Sequence, residues 1–404
     1  MKKILVFVLC AASTAGVFAQ KQAVADAKKL SGKIDKIEEA RALIKGAMEN
    51  PETSNDAMTY FVAGNIEWDA YDKGRALSMV NPDEVDGLAM AEQLLNGYNY
   101  YMRALPLDSL PNEKGQVKPK YSKDIASKLS AHANDFYTAG ANFFNNQKAY
   151  PEAYLAFVTF ANLPSMPLFE KNSPIIDQPT LATAYFNAGL GAYSGNEVDL
   201  AAEAFRNARL NNYDQPECYI YELACWQNIA QKNPEREKEA QEHIYDIALM
   251  GNDKFGFEQP LFLNNLVNCL VSQGKTNDAL TIVNEQISEN PDKAGLYALR
   301  AYTMKNLNDL KSAEADYRKA ASFADADAET LKNASYYMLR QGQEIWNAID
   351  STAADAKAQR ESVRDNYWLW AKDVAKRGLQ KNAGDSDLNS IVDNIDYFLE
   401  TYTF

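Results

Sequence analysis

Residues 260–291 read PLFLNNLVNCLVSQGKTNDALTIVNEQISENP, and this stretch decides the fold. Leu263, Leu266, Val267 and Leu270 recur at i, i+3, i+4 and i+7, the spacing that lines one face of a helix. Gln273-Gly274-Lys275 interrupts the run. Ala279, Val283 and Ile287 then mark a second amphipathic face, and Asn290-Pro291 stops it. The unit restarts at once: Tyr297, Ala301 and Met304 form a first face, Asn306-Leu307-Asn308-Asp309 a turn, and Ala313, Tyr317 and Ala320 a second face. Ala279 and Ala313 are 34 residues apart. A helical hairpin cannot bury its apolar face alone, so repetition at a fixed period of this length predicts stacked copies.

Working outward, residues 182–213 carry the same marks at Tyr185, Gly189, Ala201, Phe205 and Ala208. The unit at 260–291 departs from the pattern at Val267 and Gln286, where the others have small residues. Between these two lies a stretched unit with Tyr219, Leu223 and Ala240, its turn lengthened by Lys232-Asn233-Pro234-Glu235-Arg236. Toward the N-terminus the pattern degenerates. Ala40, Ile44 and Ala47, ended by Asn50-Pro51, read as a second helix, and Tyr60 with Gly64 as the start of the next unit. Phe136, Gly140 and Phe143, followed by Ala153, Phe157 and Ala161, read as another hairpin. The small residues matter because a side chain larger than alanine at a helix crossing holds the paired backbones apart.

A small residue at the crossing, an alanine twelve positions on, an aromatic or apolar residue four further and another alanine three beyond resemble the tetratricopeptide repeat (TPR). The resemblance covers most of residues 30 to 325. It implies an all-α fold, a right-handed superhelix of stacked helical hairpins (a TPR-like α-solenoid). Two segments break the array: 106–119, with Pro106, Pro111, Gly115 and Pro119, and 164–179, with Pro164, Pro167, Pro174 and Pro179. The expected organisation is degenerate repeats over 20–165, a proline-rich linker over 166–180, the clear array over 181–325, and a helical extension over 326–404. That extension is a natural cap for the open end of a solenoid.

Lys2 and Lys3, the apolar run Ile4 to Ala12, and Val17-Phe18-Ala19 have the layout of a secretory signal peptide cleaved after Ala19. The run is shorter than the roughly 20 apolar residues of a transmembrane helix. A lipid anchor on Cys10 is the less favoured alternative, because the residue before it is Leu9. The expected location is therefore exported, periplasmic or outer-membrane-associated. Gln20-Lys21 after Ala19 and the tyrosine- and asparagine-rich repeats are similar to envelope proteins of the Bacteroidetes group. Loss of Lys2 and Lys3 takes the formal charge from −14 to −16. So acidic a surface, without a basic cluster, argues against nucleic acid as a partner. Cys218 and Cys225 on one helix stand roughly 10 Å apart at 1.5 Å per residue, too far to bridge. A Cys225–Cys269 bridge stays open, with buried free thiols the favoured reading.

Nothing in the chain spells out chemistry. The two histidines, His132 and His243, have no metal-ligand partner at helical spacing, and surface or boundary positions are expected for both. Phosphate loops, GxSxG elbows and HExxH motifs are absent. Asp325, Asp327 and Glu329 read as a solvated helix start. No cofactor, metal or catalytic residue is expected. The TPR resemblance implies a partner strip on the first helix of each unit: Phe186, Leu190 and Tyr193, then Tyr221 and Gln227, then Asn264 and Asn268, then Tyr302 and Lys305. Aromatic platforms and amides in such a strip suit an extended peptide or protein segment. Asn264 and Asn268 put asparagine where the carboxylate clamp of some TPR domains has a lysine, so that clamp is incomplete. The function expected is a non-catalytic protein-binding scaffold of the cell envelope. Glycan binding is the alternative, prompted by 23 tyrosines and five tryptophans; an envelope enzyme is the second.

Overall fold

The computed structural model describes residues 21–145, 149–169 and 173–404. The signal-peptide reading of residues 1–19, and Cys10 with it, lies outside the described residues. What is described is helical, with one isolated bridge between Pro111 and Val117 and no sheet. No described helix is long and apolar enough to cross a membrane. The chain divides into two compact units, up to Glu237 and from Lys238 onward.

In the first unit a helix over 21–31 (α1) and α2 (Ile37–Glu49) pack Val24, Ala27, Ala40, Ile44 and Ala47 against Val62, Ala63 and Ile66 of α3 (Ala57–Ser78). Then follow α4 (Gly87–Asp108), α5 (Ser122–Ala131), α6 (Ala133–Asn145), α7 (Tyr150–Asn162), α8 (Gln178–Ser194), α9 (Val198–Leu210) and α10 (Pro216–Lys232). The pairs α3/α4, α6/α7 and α8/α9 are hairpins packed along their length. Their crossings are as tight as the sequence demands. A Cβ on Gly140 would meet the Phe157 ring at 2.8 Å, and one on Gly189 would meet Phe205 at 2.5 Å.

Helix α4 continues through Pro106 to Asp108, three residues into the segment 106–119 that the sequence reading takes as broken. In the last turn the missing N–H costs a single bond, and Ser109 N–H still closes on Leu105 O at 3.1 Å. The break starts at Ser109. Its far end is anchored by the Asp108 carboxylate, which accepts from Lys120 N–H and Tyr121 N–H (2.8 Å each) and Ser122 N–H (3.0 Å). Pro164, Pro167 and Pro174 lie between α7 and α8, which pack on each other directly. Pro179 falls in the first turn of α8, where its absent N–H is an orphan in any case, and the Asp177 carboxylate caps that turn through Thr180 N–H at 3.0 Å.

The second unit holds the bulk of α11 (Glu237–Phe255), then α12 (Pro260–Ser272), α13 (Thr276–Glu289), α14 (Ala294–Asn306), α15 (Leu310–Ser322), α16 (Ala328–Ala348), α17 (Ala356–Val363), α18 (Leu369–Lys381) and α19 (Ser386–Thr401). Residues Arg364–Trp368 form a π-helical turn joining α17 to α18. Trp346, Trp368, Phe398, Tyr402 and Phe404 pack face and edge around this end, with Trp346 and Tyr402 stacked at 4.9 Å.

One turn recurs through both units. Asn196, Gly274 and Asn308 are each left-handed, at φ 61°, 74° and 61°. The next N–H returns to the carbonyl five residues back: Glu197 to Ala192 (2.9 Å), Lys275 to Leu270 (2.8 Å) and Asp309 to Met304 (3.0 Å). This is the Schellman closure, which satisfies orphan carbonyls and sends the chain back antiparallel. Asn212 (φ 64°), with Tyr213 N–H on Ala208 O at 3.0 Å, repeats it between α9 and α10. The same left-handed closure at Gly274 and Asn308, 34 positions apart, makes the period a structural repeat: the fold is all-α, of stacked TPR-like hairpins.

Candidate functional site

In the second unit the first helices α12 and α14, with the start of α16, enclose a groove of about 580 Å³. Helix α12 enters it because Leu263, Leu266, Val267 and Leu270 are buried on one face, which turns Asn264 and Asn268 to the opposite, exposed one. They stand one turn apart, and neither side-chain amide has a hydrogen-bond partner among the described residues. Tyr302 reaches the groove from α14, half-buried. Leu263, Leu296 and Leu299 supply apolar floor.

Tyr317, on α15, also lines the groove. It is 5% exposed, and its hydroxyl has no hydrogen-bond partner among the described residues. Burial, with Tyr337 and Tyr302 nearby, pushes its pKa well above the ordinary tyrosine value, so the hydroxyl stays protonated. The rim is acidic: Asp325, Asp327 and Glu329, and among the described residues no lysine or arginine lines the groove. Asp327 caps α16 through Thr330 N–H at 2.7 Å, and Glu329 pairs with Lys332 at 2.6 Å. Asp325 is exposed and has no partner among the described residues.

The strip expected from sequence is thus distributed unevenly. Asn264, Asn268 and Tyr302 meet in one groove, while Lys305, exposed in the last turn of α14, is not among its lining residues. In the first unit Phe186, Tyr193 and Tyr221 come together, but largely against each other and the aromatics of the 182–213 hairpin. Phe186 stacks on Tyr213 at 4.4 Å, Tyr221 stacks on Phe205 at 5.3 Å, and Tyr193 meets Tyr221 edge-on at 5.6 Å. Leu190 lies in a separate hollow of about 150 Å³ with Phe144, Phe157 and Asn187. Gln227 is exposed on α10.

Sequence reasoning missed Tyr317 as a groove residue, because its spacing marks it for packing, and it does both. It also missed the groove role of Asp325, Asp327 and Glu329. They do form a helix start, but the fold turns that start onto α12 and α14, a proximity that no local pattern encodes.

The expectation of a surface or boundary position for His132 is corrected: it is 7% exposed. Trp68 meets its ring at 4.8 Å and Tyr71 at 5.6 Å, and its Nδ1 lies 2.7 Å from Asp135 Oδ2. The α5–α6 junction folds onto α3 there, burying a residue that a polar neighbourhood in sequence had suggested was outside. Cys218, Cys225 and Cys269 are free and buried, so Cys225 and Cys269 are not bridged. Among the described residues no group of three His, Cys, Asp or Glu side chains could hold a metal.

These features define a class: an all-α protein of stacked helical hairpins with a polar, aromatic-lined groove. No family model matches the chain, and no curated protein does. Among solved structures it is similar to yeast Tom70, at 13% identity and a TM-score of 0.30 over 94% of this chain and 89% of that one. It is also similar to the TPR domain of P58(IPK), at 13% identity and 0.22 over 80% and 99%. A further similar structure is Naa15/Naa10 bound to HypK-THB, at 13% identity and a TM-score of 0.18 over 99% of this chain and 77% of that one.

Proposed function

We propose that the protein is a non-catalytic scaffold of the bacterial cell envelope that holds an extended peptide or protein segment in the groove of its second unit. The observation that carries this is the pair of uncommitted amides, Asn264 and Asn268, one turn apart on α12 and facing Tyr302 across about 580 Å³. A polypeptide backbone offers a donor and an acceptor at every residue. Two free amides spaced along a helix are suited to meeting them, while a half-buried tyrosine and leucine floor receive side chains. The aromatic cluster of the first unit, Phe186, Tyr193 and Tyr221, with Leu190 and Gln227 nearby in sequence, is a further surface for the same kind of partner. Export by the segment preceding Gln20 belongs to this reading.

Affinity capture of the tagged chain from its own cell envelope, followed by a salt wash and mass spectrometry, tests it. A protein retained by the wild type and lost from the N264A/N268A/Y302A variant, with far-UV circular dichroism unchanged, is the expected result. Retention that is indifferent to those three substitutions overturns the groove assignment.

A further inference from the structure

The chemistry of the groove narrows its occupant. Its lining brings together a free carboxylate at Asp325, two further carboxylates at Asp327 and Glu329, and a phenol at Tyr317 that is nine-tenths buried and has no partner among the described residues. Lys332 neutralises Glu329 from outside the groove, at 2.6 Å. Thr330 N–H engages one oxygen of Asp327 at 2.7 Å, leaving that residue's negative charge uncompensated by any cation among the described residues. The field inside is therefore negative, and among the described residues the walls carry no positive side chain.

We propose that the segment bound here is basic, an extended polypeptide that places a lysine or arginine side chain between the Asp325–Asp327 rim and Tyr317 while Asn264 and Asn268 hold its backbone. A cation answers the carboxylates, and an aliphatic stem of lysine or arginine lies against the half-buried Leu299. An acidic segment would meet like charges with no countercharge, a juxtaposition that discriminates against wrong partners. The inference rests on the groove being the binding site; it adds the sign of the partner's charge.

The test is selection from a displayed random-peptide library on the immobilised full chain at low salt. It is run in parallel on wild type, D325N/D327N, N264A/N268A/Y302A, and a charge-matched control, D278N/E285Q, neutralised on the outer surface of α13. Asparagine caps a helix as well as aspartate does, so D327N removes charge and keeps the cap. The expected outcome is enrichment of lysine or arginine at one or two positions on wild type and on the control. Affinity for the selected peptide should fall about fivefold or more in D325N/D327N, the scale of one or two partly exposed ion pairs, and fall with added salt. Binders that depend on Asn264, Asn268 and Tyr302 but show no basic preference overturn this inference and leave the groove reading standing. Equal loss in the α13 control shows attraction by net charge alone and also overturns it. Failure to select any binder sensitive to the N264A/N268A/Y302A change overturns both.

Discussion

Arg209 on α9 holds Glu222 on α10 by two parallel bonds, Nε to Oε2 at 2.8 Å and Nη2 to Oε1 at 3.0 Å, with the Glu222 side chain 1% exposed. The pair ties one hairpin to the helix that opens the next. Arg300 grips Asp316 in the same two-pronged way within the α14/α15 hairpin, at 2.7 Å for both bonds. Removing one partner of a buried pair leaves an uncompensated charge, at a cost of about 3–5 kcal/mol, whereas replacing both with apolar residues is often neutral. R209M is therefore expected to lower the urea midpoint of the first unit strongly, and R209M/E222L to recover most of the loss. Equal midpoints for the single and double variants would show that the pair carries no such coupling.

The Gly189–Phe205 crossing gives a second expectation. A methyl at Gly189 would stand 2.5 Å from Phe205 Cε1, inside van der Waals contact. G189A should destabilise by about 1–3 kcal/mol, the usual range for overpacking, even though alanine favours helix over glycine. Adding F205L should return part of that loss. Thermal melts of the four proteins decide the matter, and a G189A protein as stable as wild type would contradict the crossing geometry.

A third expectation concerns acid stability. Burial pushes the Asp135 pKa up, but bonds from His132 and Arg75 more than offset it, leaving the carboxyl below its ordinary range. Asp108 is lowered in the same direction: burial opposes, and the N–H groups of Lys120 and Tyr121 with Ser122 prevail. A folded-state pKa below the unfolded value contributes stability that is complete above about pH 4 and is lost as pH falls through the folded value. Stability should therefore decline below about pH 4, and D135N and D108N should each be less stable at neutral pH with a shallower acid slope. An unchanged slope in both variants would assign the acid loss to other carboxylates.

Burial pushes the Cys218 and Cys225 thiols up to about 12, and the thiolate is the reactive form. Alkylation by iodoacetamide at pH 8, mapped by peptide mass spectrometry, should leave both unmodified in the native protein and modify both after denaturation. Rapid native labelling of either would mean that its helix opens locally.

Much of the fold is legible in the chain because its signals are local. The i, i+3, i+4, i+7 faces, the glycines and alanines at crossings, and the turns at Gly274 and Asn308 each act within one hairpin, and a repeat copies them at a constant interval. Local signals misled where a proline or a polar neighbour had a tertiary answer. Helix α4 passes Pro106, and His132 is buried because α3 supplies Trp68, Tyr71 and Asp72 around it.

By itself the sequence determined the all-α hairpin repeat and put Asn264 and Asn268 on one helix face, since both follow from backbone periodicity. Only the tertiary structure decided that these amides share a groove with Tyr302, Tyr317 and Asp325, while Phe186 and Tyr221 stack on Tyr213 and Phe205 of the 182–213 hairpin. The reason is that a groove is made of residues far apart in the chain. Its composition and charge come from how hairpins stack, and helical spacing within any one of them does not specify that.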